Sequence, residues 1–364
     1  MRVALLLLLL TACSSWTPDD AAGLTGGVQE RLSRRSGTVR FDVDVPEGAT
    51  ELLFTAQVAY PYAAYVVSLT APHGERVYDA ETVWSSPYSV TGAIAPQWAV
   101  SLNYPSLDAD PPLVAGRYRV VVGVVEPGDA NNFRGGVPVR ASYYTKADPV
   151  VGGRLQANLL YAGGAENADW VAAVDAAVRE WTSLYAQAGI TLEVREDVVD
   201  VGELRAPGRG SAALYQQLSA AQPFRSVNVV LVPDILDEVG LYGIAGGIPG
   251  PLAPSAQSAV TVSLLVNAGP DATYSADERR LLGETLAHEV GHYLGLFHPV
   301  ETSWAAWDSL DDTPECARES ACNAALGANL MYPYPLCDAQ GRCAPQPELT
   351  AQQGAVANRY VGVW

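Results

Sequence analysis

Positive charge is in short supply in this sequence. Against 40 Asp and Glu stand 22 Lys and Arg, a formal net charge of -18. Such a surface repels polyanions and anionic bilayers alike, which argues against nucleic acid as a partner and against electrostatic adsorption to lipid. The apolar run Val3 to Leu10 falls well short of the ~20 residues that a spanning helix needs. Internal repeats and low-complexity tracts are missing too. What is present is a globular composition, 49% hydrophobic and 17% charged, in 364 residues. That length exceeds the size at which single cores stop growing, so two domains are expected.

Cysteine is nearly as scarce, five in all. Arg2 followed by the short apolar run has the charged and hydrophobic regions of a secretory signal. Its end, Leu10-Thr11-Ala12-Cys13, resembles the lipobox of bacterial lipoproteins, which implies removal of residues 1–12 and acylation of Cys13. Residues 13–35 then read as a tether. The expected location is the outer membrane or cell surface, with membrane attachment through the lipid alone. The acidity reads as solubility outside the cytoplasm. The other four, Cys316, Cys322, Cys337 and Cys343, lie close together near the C-terminus, an even number in a chain expected to leave the cytosol. Disulfides follow, with three pairings open and the two local ones preferred.

From about Ser36 the pattern alternates with period two, through Val39, Phe41, Val43 and Val45, then Leu52, Phe54, Ala56 and Val58, then Tyr118 to Val124. Turn signals separate these runs and no helical period interrupts them. Residues 36–146 are therefore expected to form an all-β sandwich. Single aromatics such as Trp84 and Trp98 read as packing rather than as a sugar platform. After Asp148-Pro149 and Gly152-Gly153 the texture changes to alternating strands and helices. Strands are expected over Leu155 to Tyr161, Ile190 to Val194, Val227 to Val232 and Ala259 to Leu265. A helix carrying Trp170, Val174, Val178, Trp181 and Tyr185 should stop at Gly189. The whole is α+β, residues 153–364 supplying a mixed sheet backed by helices.

Ser275 and Glu278 form a capping-box pattern, so a helix should begin there and run through Leu281, Leu282 and Leu286. It delivers His288-Glu289-Val290-Gly291-His292. Histidines four apart share a helix face, and both can reach one zinc ion at about 2.0 to 2.1 Å. Glu289 beside them is placed to take a proton from water. His298 lies ten residues beyond His288, so the chain must turn between them, and Gly295 can adopt the left-handed conformation that a turn requires. Three protein ligands leave a fourth position open, the mark of a catalytic rather than a structural zinc. HExxH alone is weak, but the chain holds only four histidines and three stand in this register.

At these residues the sequence resembles the metzincin peptidases, whose HExxHxxGxxH is followed by a methionine-containing turn. Asn329-Leu330-Met331-Tyr332-Pro333-Tyr334 supplies that second element. The resemblance implies that Met331 forms an apolar floor under the metal. Asp308-Ser309-Leu310-Asp311-Asp312-Thr313-Pro314 and Leu349-Thr350-Ala351-Gln352-Gln353 are most similar to the pappalysin-like (cytophagalysin) group, whereas Pro299 is closer to serralysin-like enzymes. The tyrosine that assists in several relatives falls two places after the methionine. Here Pro333 stands there, with Tyr334 preferred over Tyr332 for that role. By the same resemblance Asp308, Asp311 and Asp312 offer oxygen ligands to calcium, beside the plainer reading as solvated loop carboxylates.

The sequence thus predicts an exported, monomeric zinc endopeptidase acting on protein or peptide. Gly240 to Gly250 is expected to border the cleft beside an edge strand. The rival is a surface adhesion lipoprotein whose metzincin-like part is only a scaffold, against which the intact Glu289 argues.

Overall fold

The computed structural model describes residues 25–81, 97–126, 129–147, 152–201, 204–206, 211–222 and 225–364. The leader 1–12, Cys13, Trp84 and the boundary residues 148–151 lie outside these.

Alternating side chains build two antiparallel sheets. The first has the order β1-β9-β3-β6, from β1 (Thr25–Leu32), β3 (Glu51–Val58), β6 (Ala99–Tyr104) and β9 (Pro138–Lys146). The second has the order β2-β7-β4-β5, from β2 (Thr38–Val45), β4 (Ala63–Thr70), β5 (Arg76–Asp79) and β7 (Gly116–Glu126), with β8 (Asp129–Phe133) paired to β7. Phe41 and Val43 of β2, Phe54 of β3, Val120 and Val122 of β7 and Val139 of β9 share one apolar core. That is the burial that period-two patterning demands.

Part of the stretch read as a tether is instead the strand β1, in full register with β9. Its sequence, Thr-Gly-Gly-Val-Gln-Glu-Arg-Leu, hides this because it lacks the apolar alternation of its neighbours: Gly26 and Gly27 face opposite sides of the sheet, and Val28 and Leu32 are exposed. A Cβ on Gly26 would lie 2.6 Å from the ring of Tyr144, and one on Gly27 2.7 Å from that of Tyr143. The tyrosines of β9 cover the glycines, so the apolar area sits on the partner strand.

The third sheet has the order β11-β10-β12-β14-β13, from β10 (Arg154–Tyr161), β11 (Thr191–Val198), β12 (Ser226–Val232), β13 (Gly243–Ala245) and β14 (Val260–Ser263). All pairs are parallel except β13 with β14. Helices α1 (Ala168–Ala186) and α4 (Ala276–Tyr293) cover one face, packing Trp181, Leu282 and Leu286 on Leu159 and Val229. Helix α2 (Ala212–Ala221) covers the other, with Tyr215 and Leu218 against Leu160 and Val230. The strand expected over Ala259 to Leu265 ends early: the Ser263 hydroxyl accepts from Val266 N at 3.2 Å and starts the short α3 (Leu264–Ala268). Helices α5 (Glu319–Leu326) and α6 (Ala351–Arg359) complete an α+β chain with six helices among the described residues.

The β9 end meets the C-terminal segment at a polar seam. Lys146, the only lysine in the sequence, is buried and donates to the carbonyls of Asn358 (2.6 Å), Tyr360 (3.2 Å) and Val363 (2.6 Å). Arg359 pairs with the buried Glu51 at 3.1 Å and with Asp108 at 2.6 Å. Val363 in turn bridges Leu155 of β10, so the seam reaches the central strand of the third sheet.

Candidate metal centre

Helix α4 begins with the capping box that its sequence announces: Ser275 Oγ accepts from Glu278 N (3.3 Å) and the Glu278 carboxylate from Ser275 N (2.6 Å). Its end is equally local. Leu296 N donates to Gly291 O at 3.0 Å and Gly295 N to His292 O at 2.9 Å, the paired bonds of a Schellman stop, with Gly295 at φ 109°. A side chain at that φ would be strained, so glycine is required there. The reversal brings His298 back over the two helical histidines. Together His288, His292 and His298 place one ligand nitrogen each within 4.8 Å of the others.

Every ring in this cluster is oriented from behind. His288 Nδ1 donates to Leu330 O and His292 Nδ1 to Leu296 O, both at 2.7 Å. His298 Nδ1 lies 3.2 Å from Glu301 Oε2. A carbonyl or carboxylate oxygen can only accept, so each neutral ring carries its proton on Nδ1 and leaves a bare lone pair on Nε2. His292 Nε2 and His298 Nε2 face each other at 3.1 Å, and when both rings are neutral in this tautomer no proton lies between them. Two lone pairs at that distance repel unless a cation sits between. Tetrahedral coordination at about 2.0 to 2.1 Å would set neighbouring nitrogens roughly 3.3 Å apart, so the residues fit zinc. Burial, and then the neighbouring rings, push His288 down to about 3 and His292 well below its usual value, keeping both neutral.

Glu289 follows His288 on the helix, is buried, and lines the same cavity. Desolvation pushes its carboxyl up to about 8, partly opposed by a hydrogen bond from the backbone of Ala245 on β13. Gly243 of that edge strand lies so close that a Cβ would stand 2.6 Å from Glu289 Cγ. The stretch from Gly240 thus borders the site as its sequence suggested. A cavity of about 260 Å³ opens beside His288 and Glu289, between Gly240–Gly243, the Leu281 to Thr285 face of α4 and the Leu330–Pro335 segment.

Met331 is fully buried beneath the helix, and a Cβ on Gly291 would meet its Sδ at 2.7 Å. Leu330 just before it supplies the carbonyl that holds His288. Tyr334 lines the cavity with its hydroxyl bonded to Glu319 Oε1 at 3.3 Å, whereas Tyr332 is buried and donates to Asn323 at 2.5 Å. Of the two, only Tyr334 has a hydroxyl free of the core.

Asp312 uses both oxygens within the loops and Asp308 one, its Oδ2 being buried without a partner among the described residues. Asp308 Oδ1 accepts from Leu310 N and Thr313 Oγ1, and Asp312 accepts from Thr350 Oγ1 and Gln352 N at the start of α6. Among the described residues, the three histidines are the one His, Cys, Asp or Glu group arranged to hold a metal ion. The cysteines pair locally, Cys316 with Cys322 and Cys337 with Cys343, bonds that suit an oxidising compartment. No helix among the described residues is long and apolar enough to cross a membrane.

The sequence reading missed the supports: Glu301, the Leu296 and Leu330 carbonyls, Gly243 and Ala245. Only Glu301, a carboxylate three residues after a ligand, carried any local signal.

No family model matches this chain, and no curated protein does. Among solved structures, an archaemetzincin from Methanopyrus kandleri is similar over 40% of this chain and 76% of its own, at 16% identity and a TM-score of 0.29. Metalloproteinase-II from Bacteroides fragilis is similar over 61% of this chain and 62% of its own, at 12% identity and a TM-score of 0.34. The chain thus spans under two thirds of the Bacteroides protein, and the chemistry argued for it rests on its own three histidines and their partners.

Proposed function

We propose that this chain is an exported zinc-dependent endopeptidase of the pappalysin-like kind. One observation carries the reading: three imidazoles, each held from behind through Nδ1, converge with their Nε2 atoms inward, and a buried carboxylate stands beside them. His288, His292 and His298 would hold the metal. Bound there, zinc supplies Lewis acidity toward a carbonyl oxygen and acidifies water to a pKa of about 7. Glu289 takes the proton from the attacking water and passes it to the leaving amine. Its burial supports this, because the carboxyl is held beside the histidines at the cavity and away from bulk water. The free edge of β13, antiparallel and beside Glu289, suits an extended peptide pairing as a further strand. Tyr334 at the cavity rim is the candidate to steady the developing negative charge.

In the same reading residues 36–146 form an accessory sandwich, residues 153–364 the peptidase, and Cys13 a lipid anchor that holds a monomer at the cell surface. Calcium near Asp308 remains a secondary element of the proposal.

Glu289→Gln is nearly isosteric, so it should keep about one zinc per chain while losing at least about a hundredfold in peptide hydrolysis. His288→Ala should lose both. Zinc content and hydrolysis rate, measured side by side on folded protein, test this. Hydrolysis by Glu289→Gln at the wild-type rate overturns the mechanism, and a wild type that binds zinc but cleaves no peptide favours the adhesion reading.

A further inference from the structure

The three histidines are not backed alike. His288 and His292 donate to neutral backbone carbonyls, but His298 donates to a carboxylate, that of Glu301, which is 45% exposed. We infer that Glu301 is a positioning residue for the metal: it fixes the His298 ring through Nδ1 and strengthens Nε2 as a donor. This rests on the metal-site reading above and adds to it the residue that sets how firmly the metal is kept.

The contact is built into the chain rather than made by a wandering side chain. Glu301 N donates to Ala306 O and Trp304 N to Glu301 O, both at 2.9 Å, and Val300 bridges Trp307, so the loop is closed around Glu301 on both sides. Trp304 at its tip takes a left-handed φ of 55°, uncommon for a bulky residue, and sets its ring edge-on to Tyr334 at 6.2 Å. Such strain persists only where the surroundings hold it, and what it holds here is the loop that presents the carboxylate.

The chemistry then follows. A negative charge accepting from Nδ1–H pushes electron density toward Nε2, where a carbonyl dipole pushes less. It also offsets the charge of a divalent cation that three neutral rings leave uncompensated. His298 is therefore the ligand whose hold depends most on a single side chain, and its own side chain is 22% exposed.

The test is a zinc dissociation constant, measured by competition with a chelator on the purified full chain, together with the visible absorption of the cobalt-loaded protein. Glu301→Ala should bind zinc about 10- to 100-fold more weakly, with an altered cobalt spectrum. Glu301→Gln keeps an acceptor oxygen without the charge and should weaken binding by about tenfold, at the mild end of that range. Glu319→Gln removes a carboxylate bonded to Tyr334 but touching no ligand, and should stay within about twofold of wild type. If neither Glu301 variant is weaker by more than about twofold, the inference is overturned while the metal site stands; the near-isosteric Gln variant guards against a folding defect in the Ala variant. If wild type takes up no zinc, both fall.

Discussion

Two polar constructions in this molecule are held together in opposite ways. At the candidate metal centre the three histidines come from eleven consecutive residues, His288 to His298, and one helix with the turn that ends it brings them together. At the seam, Glu51 and Arg359 are 308 positions apart and Lys146 reaches Val363 across 217, so nothing local fixes them. The first can be largely formed whenever α4 is formed. The second exists only when the whole chain has closed. Damage to the seam should therefore appear as global instability with the site intact in every folded molecule, and damage to the site as lost metal with the fold intact.

The largest effect is expected at Lys146. Lys146→Met leaves the carbonyls of Asn358 and Val363 without this donor, while Tyr360 O keeps its bond from Val363 N; at about 1 to 3 kcal/mol each, the loss should be about 4 kcal/mol in urea unfolding. Zinc content per folded chain should not change; a fall would mean that the two constructions are coupled. Met331→Ala works from the other side. Truncating this fully buried side chain should cost about 3 kcal/mol and open a cavity beneath Gly291, so that zinc affinity falls along with stability. Full affinity in that variant would show that the floor plays no part in holding the ligands.

The disulfides come next. Cys322 is buried, whereas Cys337 lies in an exposed hairpin beside the cavity wall. Mild reduction followed by alkylation and intact-mass analysis should label Cys337 and Cys343 before Cys316 and Cys322. Losing so short a loop should cost about 2 kcal/mol. Simultaneous labelling of all four would mean that the hairpin is no more accessible than the core.

The last effect, read as a slope rather than as a single loss, is a tilt of stability with pH at the seam. Burial pushes Glu51 up to about 8, outweighing the opposing pull of Arg359 and Lys146. A carboxyl whose folded pKa is raised contributes stability that is complete below about 4.5 and lost as pH climbs toward 8. Thermal melting from pH 5 to 9 should therefore decline across that window, and Glu51→Gln should flatten the decline. An unchanged slope would assign the titration to another group.

The same contrast explains what could be read in advance. The capping box, the histidine face and the glycine stop are written in neighbouring residues, and three of the four histidines fall in one register. The sheets of the N-terminal half were legible wherever apolar residues alternate, as in β2 and β7. They were illegible in β1, where two adjacent glycines, one on each face, are covered by tyrosines of β9 while Val28 and Leu32 stay exposed. Nor could spacing reveal that Leu330, noticed only as a neighbour of Met331, holds His288 by its carbonyl. A backbone oxygen has no signature in sequence. Glu301 was in plain view, but its role depends on the direction of a loop.

Lys146 has one more consequence. As the sole lysine, it carries the chain's only ε-amine, and folding hides it behind three carbonyls. An amine-acylating reagent therefore finds no lysine on the native surface. It can modify this side chain only during moments when the C-terminal segment lifts away, so the slow appearance of acylated Lys146 would clock the opening of the molecule, one event per chain, without any engineered probe.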